Sequence, residues 1–186
     1  MRIIPIAALS AGLLLAACDS KVEVTSTLDD PLADRIAIED MITRYYASLG
    51  AGEPGAFGDY YTEDAVFDVN GVVSTGHEEI EALYAGMGDG DGVEGDPGVF
   101  HMLLTNPVID VDGDTATASF IWTGVLNTDI KAPPQFAEQG REYDLLVKQE
   151  DGSWLIKKRT VIADSGMPDQ FDKTYQPRMD YDITAN

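Results

Sequence analysis

From Val99 to Ala163 the sequence reads as strand, broken by tight turns. Thr115–Leu126 sets Ala116, Ala118, Phe120 and Trp122 against Thr115, Thr117, Ser119 and Thr123. That period of two is a strand with one apolar face. Ahead of it, Val99–Val111 runs into an Asp112-Gly113 turn; after it, Arg141–Glu150 runs through Asp151-Gly152 into Trp154–Ala163. Asp-Gly between such runs closes hairpins. Two hairpins in succession predict a strongly twisted antiparallel sheet whose apolar face must be covered.

The first half of the chain supplies the cover. Asp30-Pro31 has the form of an N-cap followed by proline at the first helical position. Ile38, Met41, Ile42, Tyr45, Tyr46 and Leu49 then recur at helical spacing, and Gly50 and Gly52 end the run. A short second helix is expected over 54–61. "AVFDVNGVVSTG" predicts two short strands turning at Asn70-Gly71. "HEEIEALYAGM" predicts a third helix with Ile80, Leu83, Tyr84 and Met87 on its inner side. Helices segregated from antiparallel strands define an α+β domain.

The net charge of -21, from 33 acidic against 12 basic residues, opposes binding to phosphate backbones and makes nucleic acid a poor partner. The first residues are of another kind. "MRIIPIAALSAGLLLAACDS" has a basic start at Arg2, an apolar core and the ending Leu15-Ala16-Ala17-Cys18. It reads as a secretory signal over residues 1–17. Its ending resembles the bacterial lipobox, in which the cysteine becomes the first mature residue and carries thioether-linked diacylglycerol and palmitate-class acyl chains. Cys18 is the chain's one cysteine, so lipidation leaves no thiol for a disulfide, a metal or a nucleophile. Residues 18–31 form a polar tether, 32–164 the folded domain and 165–186 a tail without periodicity. The expected location is the bacterial cell envelope, lipid-anchored to a membrane and facing the periplasm.

Metal and cofactor chemistry finds little support. "GDGDGVEGDPG" departs from a calcium loop at Val93 and Glu94, and a Gly-containing hairpin turn accounts for Asp110, Asp112 and Asp114. The two histidines lie far apart in sequence, so no metal ligands and no cofactor are assigned.

The order helix, short helix, strand pair, helix, long curved sheet resembles the nuclear transport factor 2-like cone. "DRIAIEDMITRYYASLGAGEPGAFGDYYTEDAVFDVNG", "FHMLLTNPVIDVDGDTATASF" and "YDLLVKQEDGSWLIKKRTV" are similar to segments of SnoaL-like domains. The resemblance implies three N-terminal helices packed on a strongly curved antiparallel sheet, enclosing a blind pocket for a small hydrophobic ligand. The superfamily includes lyases, isomerases and binding modules, so the fold leaves the activity open.

Within that resemblance His101 aligns with the catalytic histidine of fungal scytalone dehydratases. The positions of that enzyme's other pocket residues hold Gly50, Leu49, Val69 and Leu126 here, with Arg141 near the position of its pocket serine. His101 therefore needs a new partner. Period two puts Arg141 and Tyr143 on one face and Glu142 and Asp144 on the other. Tyr143 is the expected partner, because an apolar pocket accepts a phenol at less cost than a bare carboxylate. The catalytic candidates are thus His101 and Tyr143, and the ligand-binding candidates Tyr45, Arg141 and Trp122. A satisfied interior histidine without proton transfer is the other reading of His101. The corresponding alternative for the whole chain is a non-catalytic, lipid-anchored module that binds a ligand or a protein. Val99, His101 and Leu103 face opposite to Phe100, Met102 and Leu104, so this strand is expected to be covered on both sides, the outer one by a second copy in a homodimer.

Overall fold

Asp30 caps the first helix, its Oδ1 accepting the Leu32 backbone N–H at 3.0 Å. This helix, α1 (Pro31–Ala51), puts Ile38, Ile42 and Tyr45 on one buried side. Complete burial of a side chain such as Ile38 contributes about 1.5–3 kcal/mol. In the computed structural model of the chain, the described residues are 30–51, 57–88, 98–167, 171 and 174–185. The expected signal sequence, Cys18, the expected tether up to residue 29 and the Gly/Asp stretch at 89–97 lie outside them.

After α1 come a one-turn 3-10 helix (Gly58–Tyr60), β1 (Tyr61–Val69), β2 (Val72–Thr75), α2 (Gly76–Gly88), β3 (Val99–Asp112), β4 (Thr115–Asn127), β5 (Gln135–Lys148) and β6 (Trp154–Ser165). Of the expected second helix over 54–61, residues 54–56 lie outside the described residues, Gly58–Tyr60 form that single turn, and Tyr61 already starts β1. The six strands form one sheet in the order β2-β1-β6-β5-β4-β3. It is mixed: β1 runs parallel to β6, and the other neighbours are antiparallel. The hairpin at Asn70-Gly71 has both residues at positive φ, 52° and 85°, as a two-residue turn of this hand requires.

The helices lie on the face of the sheet that carries Ala116, Ala118, Phe120, Leu146, Trp154 and Ile156. A polar clamp fixes the start of α1 there. Buried Asp34 accepts from Trp154 Nε1 at 3.1 Å and from Lys148 Nζ at 3.0 Å. Burial alone would raise the Asp34 carboxyl, but these two donors hold it below the usual carboxylate range.

Irregularities in pairing set which residues point inward. Between Thr105 and Val108 the β3–β4 register shifts, with Asn106 at φ 55°. Before the shift Phe100 and Met102 face the helices; after it Ile109 does. The tail packs back on the domain: Phe171 and Ile183 are buried, and Arg178 pairs with Asp68 at 2.8 Å. Among the described residues no helix is long and apolar enough to cross a membrane.

Candidate functional site

The helical stripe of α1 and the inward faces of the strands meet around a cavity of about 310 Å³. Tyr45 and Tyr46 enter it from α1, Phe67 and Val69 from β1, and Tyr84 from α2. Phe100, Met102 and Trp122 line the β3–β4 side, and Phe171 comes from the tail. Two carboxyl groups from β5, Glu138 and Glu142, interrupt this aromatic wall.

Glu142 belongs to a buried charged group. On the neighbouring strand, Arg159 donates to Asp144 through Nε at 2.7 Å and Nη2 at 2.9 Å. Its guanidinium lies 4.1 Å from the Tyr45 ring centroid, a cation–π contact out of water. Glu142 Oε1 also lies 2.9 Å from Arg159 Nη2, but without the alignment of a hydrogen bond. Its other oxygen accepts a short hydrogen bond from Tyr46 Oη. All three charged residues are at most 1 % exposed.

One guanidinium cannot neutralise two carboxylates in a medium that solvates neither. Asp144 takes the bidentate bond, and Glu142 is left as the odd acid. Burial, which outweighs the attraction of Arg159, pushes the Glu142 carboxyl up to about 8. Burial raises Glu138 as well. The tyrosines move out of the working range: Tyr45 is pushed up to about 12 by burial, and burial also takes Tyr46 and Tyr61 well above the ordinary phenol value. They serve as donors and walls rather than bases. Glu142 is thus a cavity carboxyl that burial moves toward the neutral range, beside a largely apolar space large enough for a ligand.

Several expected site residues stand elsewhere. His101 is exposed, because Phe100 and Met102 take the inward positions of β3 and an edge strand has no neighbour to shelter the other face. Its expected pocket orientation is corrected to the outer face. Tyr143 is also on the outer face, packed on Tyr181 with ring centroids 5.1 Å apart. The two do not meet. His101 pairs with Val125 and Tyr143 with Ser119, six residues away along β4, or about 20 Å. Arg141 turns outward as well and forks onto Asp164, with Nε and Nη2 at 2.9 and 2.8 Å from its oxygens. Tyr45 and Trp122 do line the cavity. The outer side of β3, expected to be covered, is open in the single chain: Val99, Leu103 and Val108 are exposed.

Arg159 is the member of the site that sequence reasoning missed. Its signal was its register: it stands two residues before Val161 and four before Ala163, on their face of β6. A cation on an inward face requires an anion beside it, and that requirement selects Glu142 and Asp144 over Tyr143. Among the described residues no group of three or more His, Cys, Asp or Glu side chains is placed to hold a metal ion.

A curved sheet wrapped over helices around a mostly aromatic cavity defines a protein of the nuclear transport factor 2-like class. More narrowly, the chain belongs to the SnoaL-like domain family, whose model matches residues 30–160. Solved structures agree on the fold. A Mycobacterium tuberculosis protein of unknown function superposes with a TM-score of 0.62 at 23% identity, covering 76% of this chain and 78% of its own. A nuclear transport factor 2-like protein with a cystatin-like fold from Novosphingobium aromaticivorans gives 0.57 at 22% identity, covering 73% and 85%. A Catenulispora acidiphila protein in complex with S-DNPA gives 0.59 at 22% identity, covering 72% and 95%. No curated protein has significant sequence similarity to the chain.

Proposed function

We propose that the cavity binds a small, largely apolar molecule and that Glu142 exchanges a proton with it in lyase- or isomerase-type chemistry. The observation that carries this is a buried carboxyl pushed up to about 8 on the wall of an aromatic cavity. In its protonated form Glu142 donates to an oxygen of the ligand; in its ionised form it accepts a proton from an adjacent carbon. Positioned acid–base catalysis of this kind contributes typically ~10²–10⁴-fold. Asp144 and Arg159 act behind it, holding the local charge and geometry. The small molecule carried by the Catenulispora relative is consistent with this use of the cavity.

The test uses 2-tetralone in deuterated buffer, with deuterium incorporation beside its carbonyl followed by mass spectrometry. The protein should accelerate exchange over buffer, and Glu142→Gln should return it to the buffer rate. Equal rates for protein and buffer would remove the acid–base reading and leave a binding module.

The reading includes a lipid anchor at Cys18 on an envelope membrane, supported by the Leu15-Ala16-Ala17-Cys18 ending. Stable attachment requires more than one acyl chain, since a single chain binds only marginally. Cys18→Ser should move the protein from the detergent to the aqueous phase; unchanged partitioning would refute the anchor. A homodimer through the outer face of β3 is supported by exposed Val99, Leu103 and Val108. Sedimentation as a monomer at micromolar concentration would count against it.

A further inference from the structure

Trp122 carries a polar atom that none of the described residues uses. The residue is 4 % exposed, it lines the cavity, and no acceptor for its Nε1–H exists among the described residues. The second tryptophan, Trp154, donates to Asp34 at 3.1 Å. An orphaned buried donor is destabilising, and an acceptor arriving with a ligand removes that cost.

The ring is held where it is. Trp122 lies directly opposite Gly140, and a Cβ at Gly140 would sit 2.4 Å from Trp122 Cζ2 and 2.2 Å from the Ile162 carbonyl oxygen. The glycine thus leaves the space that the indole occupies against β5. Glu142, two residues along the same face of β5, is a diagonal neighbour of Trp122. Its Oε1 also has no hydrogen bond. The unused N–H and the Glu142 carboxyl, whose oxygens are engaged by Tyr46 and by the ion pair with Arg159, therefore belong to residues that line the same cavity.

We propose that the Trp122 indole N–H is the polar anchor of the cavity, donating to a neutral oxygen of a planar, mostly apolar ligand such as a ketone. The proposal rests on the cavity-binding reading above and specifies its ligand class. Neutrality follows from the surroundings. Arg159, the cation beside the cavity, is already paired with Asp144 and Glu142, and the chain carries a net charge of -21, so a carboxylate ligand meets an unfavourable field with no free counter-ion among the described lining residues. Aromatic walls on several sides select a flat body. An oxygen seated on the indole also stands beside Glu142, where proton exchange with the same ligand takes place.

Three probes of nearly one shape separate the terms: 2-acetylnaphthalene, 2-isopropenylnaphthalene and 2-naphthoate. Dissociation constants are measured for the protein and for Trp122→Phe, which keeps an aromatic ring and removes the N–H. The ketone should bind the protein about tenfold more tightly than the olefin, the value of one hydrogen bond to an otherwise orphaned donor. The naphthoate should bind most weakly, and the ketone-to-olefin ratio should fall to about one in Trp122→Phe. The ¹⁵N-labelled protein provides a measurement that does not depend on the variant folding: its two indole signals separate the tryptophans. The ketone should shift the Trp122 N–H signal downfield and leave that of Trp154 in place, and the olefin should produce no downfield shift. Equal binding of ketone and olefin, tightest binding of naphthoate, or an unmoved Trp122 signal under saturating ketone would overturn the anchor alone. Failure of all three probes to bind would overturn the cavity reading and the anchor with it.

Discussion

The two faces of β5 carry acids and bases in opposite settings. On the outer face Arg141 forks onto Asp164, with side chains 19% and 37% exposed, and Tyr143 lies on Tyr181. On the inner face Glu142 and Asp144 share Arg159, all buried. Both faces hold a bidentate arginine–carboxylate pair with contacts below 3 Å. Water makes the difference. On the outer face the solvent screens each charge, and the pair stabilises little. On the inner face every charge needs a protein partner, and the one that lacks a full share changes its protonation instead. The acid without a full counter-charge is therefore found on one side of a single strand.

The largest expected effect comes from removing the inner cation. Arg159→Met leaves Asp144 buried without its bidentate partner and should lower stability by about 3–5 kcal/mol in denaturant unfolding. A loss below about 1 kcal/mol would mean that the inner pair is not held out of water, and the contrast between the faces would fail.

The next effect depends on pH. Because the folded Glu142 carboxyl titrates near 8 against an ordinary 4.5, the folded state holds more protons than the unfolded state between those values. Stability from this group thus falls as pH rises through that window and is undiminished below it. Glu142→Gln removes the dependence. Its melting temperature should exceed that of the parent at pH 8, by a stability difference on the order of 4 kcal/mol, with the advantage gone by pH 4. An advantage independent of pH would show that Glu142 does not titrate in this window.

Tyr46→Phe sharpens the comparison within the inner face. The Tyr46 hydroxyl donates to Glu142 and holds its carboxyl lower than burial and neighbouring charges would leave it. Removing it should cost about 1–2 kcal/mol and shift the pH profile of 2-tetralone exchange to higher pH. A shift to lower pH would reverse the assigned role of the phenol.

The smallest effect belongs to the outer pair. Arg141→Met should cost no more than about 1 kcal/mol, reduced further by salt, and leave exchange unchanged. A loss of exchange in this variant would place Arg141 in the site after all.

Much of the architecture was legible in the chain because it depends on local rules. Alternation over Thr115–Leu126 specifies a one-sided strand, Asn70-Gly71 and Asp151-Gly152 specify turns, and the stripe from Ile38 to Leu49 specifies a helix with one apolar side. The cavity members Tyr45 and Trp122 followed from the same periodicities. The parallel β1–β6 pair was not legible, since it depends on strands brought together from distant parts of the sequence.

The residues at the centre of the site show where local reasoning ends. Period two separates Arg141 and Tyr143 from Glu142 and Asp144, and the sequence by itself determined that these pairs occupy opposite faces. Which pair turns inward was decided only by tertiary structure. The β5–β6 pairing places Arg159 opposite Asp144, and a guanidinium stacked on Tyr45 makes two buried acids cheaper than two isolated carboxylates would be. The same holds for His101. Its alternation with Phe100 and Met102 could be read from the chain, but β3 stands at the sheet edge and keeps that histidine in solvent. Periodicity is a property of neighbours in sequence; the side that faces the core depends on a charge or a ring supplied from elsewhere in the chain.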